Sequence, residues 1–221
     1  MSATLLVKEN EQSVQGYLQK LDLDVEILIN VIERSHIDRM SADKDEPTTA
    51  PGTYAYFAIV RELRKALLPK GWEKGNLSGL ETVFNPANNV SIIQAIGNRS
   101  TGTPTSPSTK NTKGKKTREY IQSNKQFSIS EFDNNFSIKN SGDILFQTWV
   151  LLHYFDRSQQ EIRFELSLPT KFESYDNGRI RASEWEIRLV FNPVKIANSH
   201  YLPEPPPNYT DPVNIAISKK L

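Results

Sequence analysis

Gln160-Glu161-Ile162-Arg163-Phe164-Glu165-Leu166-Ser167-Leu168 alternates without a break. Ile162, Phe164, Leu166 and Leu168 point one way; Glu161, Arg163, Glu165 and Ser167 point the other. A period of two marks a strand with one face on a core and one toward water. Sheets with one wet face are antiparallel, because parallel sheets are covered on both sides. Glu184 to Phe191 repeats the pattern, with Trp185, Ile187, Leu189 and Phe191 against Glu184, Glu186, Arg188 and Val190. Ile144 to Phe155, just upstream, is apolar on both faces. That predicts a central strand covered by helices, with a buried helix as the competing reading. Asp156 to Gln159 and Asp176-Asn177-Gly178 supply turn residues between these runs.

Working outward, Glu81 to Asn85 and Val90 to Ile96 flank Pro86-Ala87-Asn88-Asn89, which reads as a hairpin. Residues 12–35 place Val14, Leu18, Leu21, Val25, Leu28 and Ile32 at helical spacing. Met40 to Gly52 breaks that pattern with Pro47 and Pro51. A second helix is expected from Tyr54 to Leu68, capped by Thr53 and stopped by Pro69 and Gly71. Leu202 to Pro212 is proline-rich and should be extended, with a short edge strand at Val213 to Ser218. The expected fold is a single α+β domain over 1–221: two N-terminal helices packed on an antiparallel sheet of about five strands. Its parts are a helical portion (1–70), a β-hairpin (71–98), a basic flexible loop (99–118), a helix and β-meander (119–192), and a Pro-rich tail (193–221).

The chain has 221 residues, no cysteine and three histidines, His36, His153 and His200. Without cysteine there is no disulfide, no thiolate zinc site and no cysteine nucleophile. Scattered histidines do not suggest a histidine-rich metal site. The formal charge of +1 excludes a strongly basic or acidic protein as a whole. No long apolar stretch follows a basic start at Met1 to Gln12, so no secretory signal is expected. The run from Ile144 to Phe155 is too short for a membrane helix. The expectation is a cytoplasmic protein with no membrane partner.

Arg99 to Arg118 departs from the rest. It contains no apolar residue by composition and no acid, and it carries Arg99, Lys110, Lys113, Lys115, Lys116 and Arg118. Removing it leaves 21 basic and 26 acidic residues, so the near-neutral total hides a local excess of six positive charges. Cations interleaved with hydroxyls and backbone amides suit phosphates, which take both charge and neutral hydrogen bonds. A helix-compatible stretch from Arg118 to Gln126 would add a favourable N-terminal dipole. These six residues are the candidate nucleic-acid-binding set. The plain alternative is a solvated linker. A phosphate-binding loop of the form G-x-x-x-x-G-K-[ST] is not present: Thr109 stands where the first glycine belongs, and Lys116 follows Gly114-Lys115.

The leading functional expectation is therefore nucleic-acid or other polyanion binding through this loop. A second is a metal-dependent endonuclease using Glu161, Glu165, Glu184 and Glu186 on the outward face, with Asp143 and Asp156 bracketing the central strand. A divalent metal enters only with that reading; otherwise no cofactor is implied. Arg163 and Arg188 interleave with these carboxylates, as ordinary cross-strand ion pairing would also require. A third is a non-catalytic interaction subunit, docking a protein partner through the tail around Glu204-Pro205-Pro206-Pro207. His153 reads as a hydrogen-bonded core residue. His36 reads as a helix-terminal residue whose cation the dipole favours. Trp72, Trp149 and Trp185 read as core. Oligomeric state and enzymatic activity are not set by any motif.

Overall fold

The computed structural model describes residues 5–8, 11–77, 80–110, 147–174 and 180–196. It has an α+β fold: helices come first and pack on one mostly antiparallel sheet. Among the described residues, three helices precede the main run of strands: α1 (Glu11–Lys20), α2 (Val25–Met40) and α3 (Ala50–Leu67). The strands are β1 (Leu5–Lys8), β2 (Glu73–Leu77), β3 (Leu80–Asn85), β4 (Val90–Ile96), β5 (Gln147–Asp156), β6 (Glu161–Ser174), β7 (Ile180–Val190) and β8 (Val194–Lys195). The sheet order is β1-β7-β6-β5-β4-β3-β2, and β8 pairs with β6 off that path. The tail beyond residue 196, its expected edge strand, the Asp176-Asn177-Gly178 turn and the stretch from Arg118 to Gln126 lie outside the described residues.

The expected helix over 12–35 is two helices. Asp22 takes a left-handed backbone (φ 56°) between them. Leu23 N–H donates to Leu18 O at 2.8 Å and Asp22 N–H to Gln19 O at 3.0 Å. These are the paired bonds of a Schellman stop. The apolar rhythm hides the break because Leu18, Leu21 and Leu23 are all buried across it. Asp24 then caps α2, accepting from Glu26 N–H at 3.0 Å, as short polar side chains do at helix starts. The second expected helix begins earlier than Thr53, at Ala50. Pro51 sits in its first turn, where no backbone donor is needed. Thr53 is inside, with its hydroxyl donating to Thr49 O.

The hairpin is present as β3 and β4, with Val83 opposite Ile92. The central run is strand, not helix, and β5 occupies the middle of the seven-strand path. Two pairings depart from a purely antiparallel sheet. β4 runs parallel to β5, with Ile92 opposite Trp149 and Ile96 opposite His153, and β1 runs parallel to β7. A parallel pair needs a long crossover. Residues 97–146 provide it, and the basic segment lies within them.

The helix-side core joins Leu28 and Ile32 of α2, Ile59 and Leu63 of α3, and Trp149, Leu151, Phe164, Leu166, Ile187 and Leu189 of the sheet. Phe164 is fully buried and stacks on Phe191 with centroids 5.0 Å apart. The opposite face is not wet, contrary to the alternation reading. Glu165 and Ser167 are 0% exposed and Arg188 is 1% exposed. Trp185 also belongs to this face, against the alternation of β7. The register passes from Leu168 opposite Ile187 to Pro169 opposite Trp185, which skips Glu186. That bulge turns Trp185 over to pack with Val150, Leu152 and Ala182. Pro169 cannot donate to the ladder, and the register shifts on either side of it.

Residues 97–110 cover this second face. Their ends meet at the tip of β4: Gly97 bridges Thr109, and Lys110 N–H donates to Ile96 O at 2.7 Å. Gly102 N–H donates to Glu165 at 2.8 Å, and Trp185 Nε1 donates to Pro107 O at 2.8 Å. Arg188 donates to Thr103 O and Thr105 O, and bidentately to Glu165 at 2.6 and 2.9 Å. Gly102 takes φ 71°, and a Cβ there would approach that of Arg163 to 2.8 Å. Only glycine meets both demands without strain. The described half of the expected flexible loop is thus a pinned strap. It lacks apolar side chains but is fixed by backbone hydrogen bonds to a polar sheet face.

Substitutions on the two faces test this assignment. Phe164→Ala should lose about 3–5 kcal/mol in urea denaturation, as large-to-small changes at fully buried aromatic sites do. Glu165→Gln leaves the buried Arg188 guanidinium without its counter-charge and should cost about 3–5 kcal/mol. A cost within about 0.5 kcal/mol, measured the same way, would mean that Glu165 is solvated.

Candidate anion-binding site

The structure describes two of the six cations singled out in the sequence. Arg99 is exposed, in the first turn of the strap. Lys110 is exposed at its end, beside the tip of β4. Lys113, Lys115, Lys116 and Arg118 lie outside the described residues.

Three of the carboxylates considered for metal chemistry, Glu165, Glu161 and Asp156, are paired within the fold. Glu165 accepts from Arg188, from Ser167 Oγ at 2.7 Å and from Gly102 N–H. Glu161 pairs with Lys195 at 2.6 Å. Asp156 accepts from the Ser158 hydroxyl at 2.7 Å and from Arg163 at 3.0 Å, and these bonds hold its carboxyl below the usual range. Glu186 is half-buried, which raises its pKa. Asp143 is outside the described residues. Among the described residues no three histidine, aspartate or glutamate side chains gather closely enough to hold a metal ion.

Lys110 does meet other cations. A cavity of about 500 Å³ opens where β4 and β5 end side by side. Ile96 ends β4, and His153 to Asp156 end β5. α2 adds Ser35, His36 and Arg39; the β5–β6 turn adds Arg157 and Ser158; the strap adds Lys110. The elements explain the convergence. Residues 97–110 leave β4 over the second face, while β5 turns directly into β6. The tips of these parallel neighbours are therefore left open between diverging connections, as at the carboxyl ends of strands in open parallel sheets. Asp156 fixes the turn on its own side by accepting from Ser158 and Gln159 N–H.

The cavity is electropositive. Arg39, Lys110 and Arg157 are permanent cations at neutral pH, and among the described residues Asp156 is the one carboxylate lining it. That carboxylate is already occupied by Arg163 and Ser158. Phe155 forms an aromatic wall: His36 stacks on it with centroids 5.5 Å apart, and the Arg39 guanidinium lies 5.3 Å from its centroid. His36 is not the helix-terminal cation that its position suggested. α2 runs on to Met40, and burial followed by the Arg39 charge lowers the imidazole pKa below its ordinary value. Its Nδ1 is buried without a protein hydrogen-bond partner. Burial, and then the Arg157 charge, likewise lower the pKa of Arg39, although a guanidinium remains charged at any ordinary pH. His153 is half-buried in the cavity wall rather than enclosed in the core.

Sequence reasoning found Lys110 and missed His36, Arg39, His153 and Arg157 as a group. They come from a helix, a strand and a turn, and no spacing links them. Comparison with protein families, curated proteins and solved structures finds no match to this chain.

His36 makes folding pH-dependent in a defined direction. The unfolded imidazole takes up a proton near its ordinary pKa of about 6.5, while the folded one does so only at lower pH. Stability present at pH 7 is therefore lost as pH falls through that window. The Arg39 charge adds to the penalty that burial places on a His36 cation. The melting temperature of the parent should fall more between pH 7.5 and 5.5 than that of His36→Asn, read by circular dichroism.

Proposed function

We propose that this protein binds nucleic acid through the basic segment Arg99 to Arg118 together with the electropositive cavity at the tips of β4 and β5. One observation carries the reading. Lys110, the first lysine of the basic segment, lines the same cavity as Arg39 and Arg157, and the one acidic residue described there is already paired. A run of cations that begins beside further cations is a local positive patch on a nearly neutral chain. Polyanion affinity then comes from that patch and not from a global field. Ser, Thr and backbone N–H groups along the segment suit phosphate oxygens, which accept neutral hydrogen bonds as well as charge. The segment contains no aromatic residue, so it contributes little base stacking and reads sequence weakly.

Counterion release gives the test. If three or four of the cations contact duplex DNA, log K should fall with log salt at a slope of roughly −3. Lys113→Gln, Lys115→Gln and Lys116→Gln combined should flatten that slope and weaken binding, with the melting temperature unchanged. Fluorescence anisotropy with a labelled duplex and a labelled single strand, from low to physiological salt, reads both quantities. A parent that binds neither at low salt, or a triple variant that binds as well as the parent at every salt concentration, would remove the reading.

A further inference from the structure

The cavity has features that a general backbone-binding patch does not need. Its cations come from three separate elements: Arg39 from α2, Lys110 from the strap and Arg157 from the β5–β6 turn. Like charges held together destabilise a fold unless a counter-charge joins them. Asp156 does not serve, since Arg163 and the Ser158–Gln159 turn occupy its oxygens. The volume of about 500 Å³ falls within the range usual for small-ligand sites. One wall is the Phe155 ring, and the lining side chains Arg39, Lys110 and Arg157 offer N–H donors only. A ligand that fits this lining is compact, carries several acceptor oxygens and more than one negative charge, and has an attached group that can lie against an aromatic wall.

We propose that this cavity binds the terminal phosphomonoester of a nucleic-acid strand, together with part of its end nucleotide. This rests on the nucleic-acid reading above and adds to it the part of the polymer that the cavity takes. A phosphomonoester carries about −1.5 to −2 charges at pH 7 and three terminal oxygens. An internal phosphodiester carries one charge and has chain on both sides. Among the described residues, the excess of cations over free carboxylates in the lining selects the more highly charged group, and a cavity of single-ligand size admits an end more readily than a passing backbone. Arg39 and Arg157 act as the phosphate donors, because guanidinium groups match phosphate geometry.

The test uses the full chain and one oligonucleotide made in three forms: 5′-phosphorylated, 3′-phosphorylated and unphosphorylated. A nucleoside monophosphate is titrated separately. The parent should bind at least one phosphorylated form about tenfold more tightly than the unphosphorylated form. Arg39→Gln with Arg157→Gln should weaken the phosphorylated forms much more than the unphosphorylated strand, so that the preference is lost. The Lys113, Lys115 and Lys116 triple variant should weaken all forms together and keep the preference. Arg157 is exposed, so Arg157→Gln alone serves if the double variant does not fold. Salt-sensitive binding of all three forms with equal affinity would overturn the end-binding inference and leave the nucleic-acid reading standing. Binding of the nucleoside monophosphate with no binding of any oligonucleotide would overturn both the strand end as its source and the nucleic-acid reading.

Discussion

The bidentate pair between Glu165 and Arg188 is the constraint on which the second half of this molecule turns. The two residues lie on adjacent strands, on the face away from the helices, and neither is accessible to water. Taking two such charges out of solvent costs several kcal/mol per ion, and their attraction offsets this only when the remaining hydrogen-bonding capacity is also filled. Here it is filled from outside the sheet. Thr103 and Thr105 lend carbonyls to the guanidinium, and Gly102 lends an N–H to the carboxylate. The strap therefore needs the ion pair as an anchor, and the ion pair needs the strap as its solvent substitute. A segment with little apolar surface is held down chiefly by hydrogen bonds to the sheet.

The topology follows from that cover. Most residues of β4 and the first six of β5 are buried whichever face they occupy, which suits the parallel pairing of these two strands. The chain must travel from one end of β4 to the opposite end of β5, and the strap is the first part of that route. Its base closes at Gly97 and Lys110, beside the tip of β4. The connection from β5 leaves in another direction, through Arg157 and Ser158. The cavity between these departures is a consequence of the crossover, and the basic segment reaches it because both belong to the same connection.

The helical layer supplies the remaining wall. The Schellman stop at Asp22 reorients the chain so that α2 lies along the sheet, with Leu28 and Ile32 in the core. Asp22 ties that corner to the sheet by accepting from Trp72 Nε1 and from Asn85 Nδ2, each at 3.3 Å. One helical turn beyond Ile32 the core-facing stripe of α2 runs out past the end of β5. There Ser35, His36 and Arg39 meet the cavity instead of apolar side chains. The same periodicity that builds the core thus delivers the polar residues of the candidate site.

The alternation at 161–168, the hairpin at 81–96 and the helical stripes were legible in the sequence because each is a local pattern with a fixed period. They determined that helices pack on a sheet and that Phe164 and Leu166 are core, while the run from Ile144 to Phe155 stayed open between a central strand and a buried helix. Composition likewise marked Arg99 to Arg118 as a segment apart. Only the tertiary structure decided what lies over the other face. Alternation distinguishes polar from apolar positions, but it does not distinguish water from a strap of carbonyl groups as the partner of a polar residue, so Glu165 and Arg188 read as exposed. The reversal of Trp185 was hidden for a related reason: one bulge at Glu186 shifts the strand beyond it by one face, and nothing in the local pattern announces it. Arg39, Arg157 and Lys110 share no spacing at all. They converge because two parallel strands end together and their connections part, a relation between distant elements that exists only once the chain has folded.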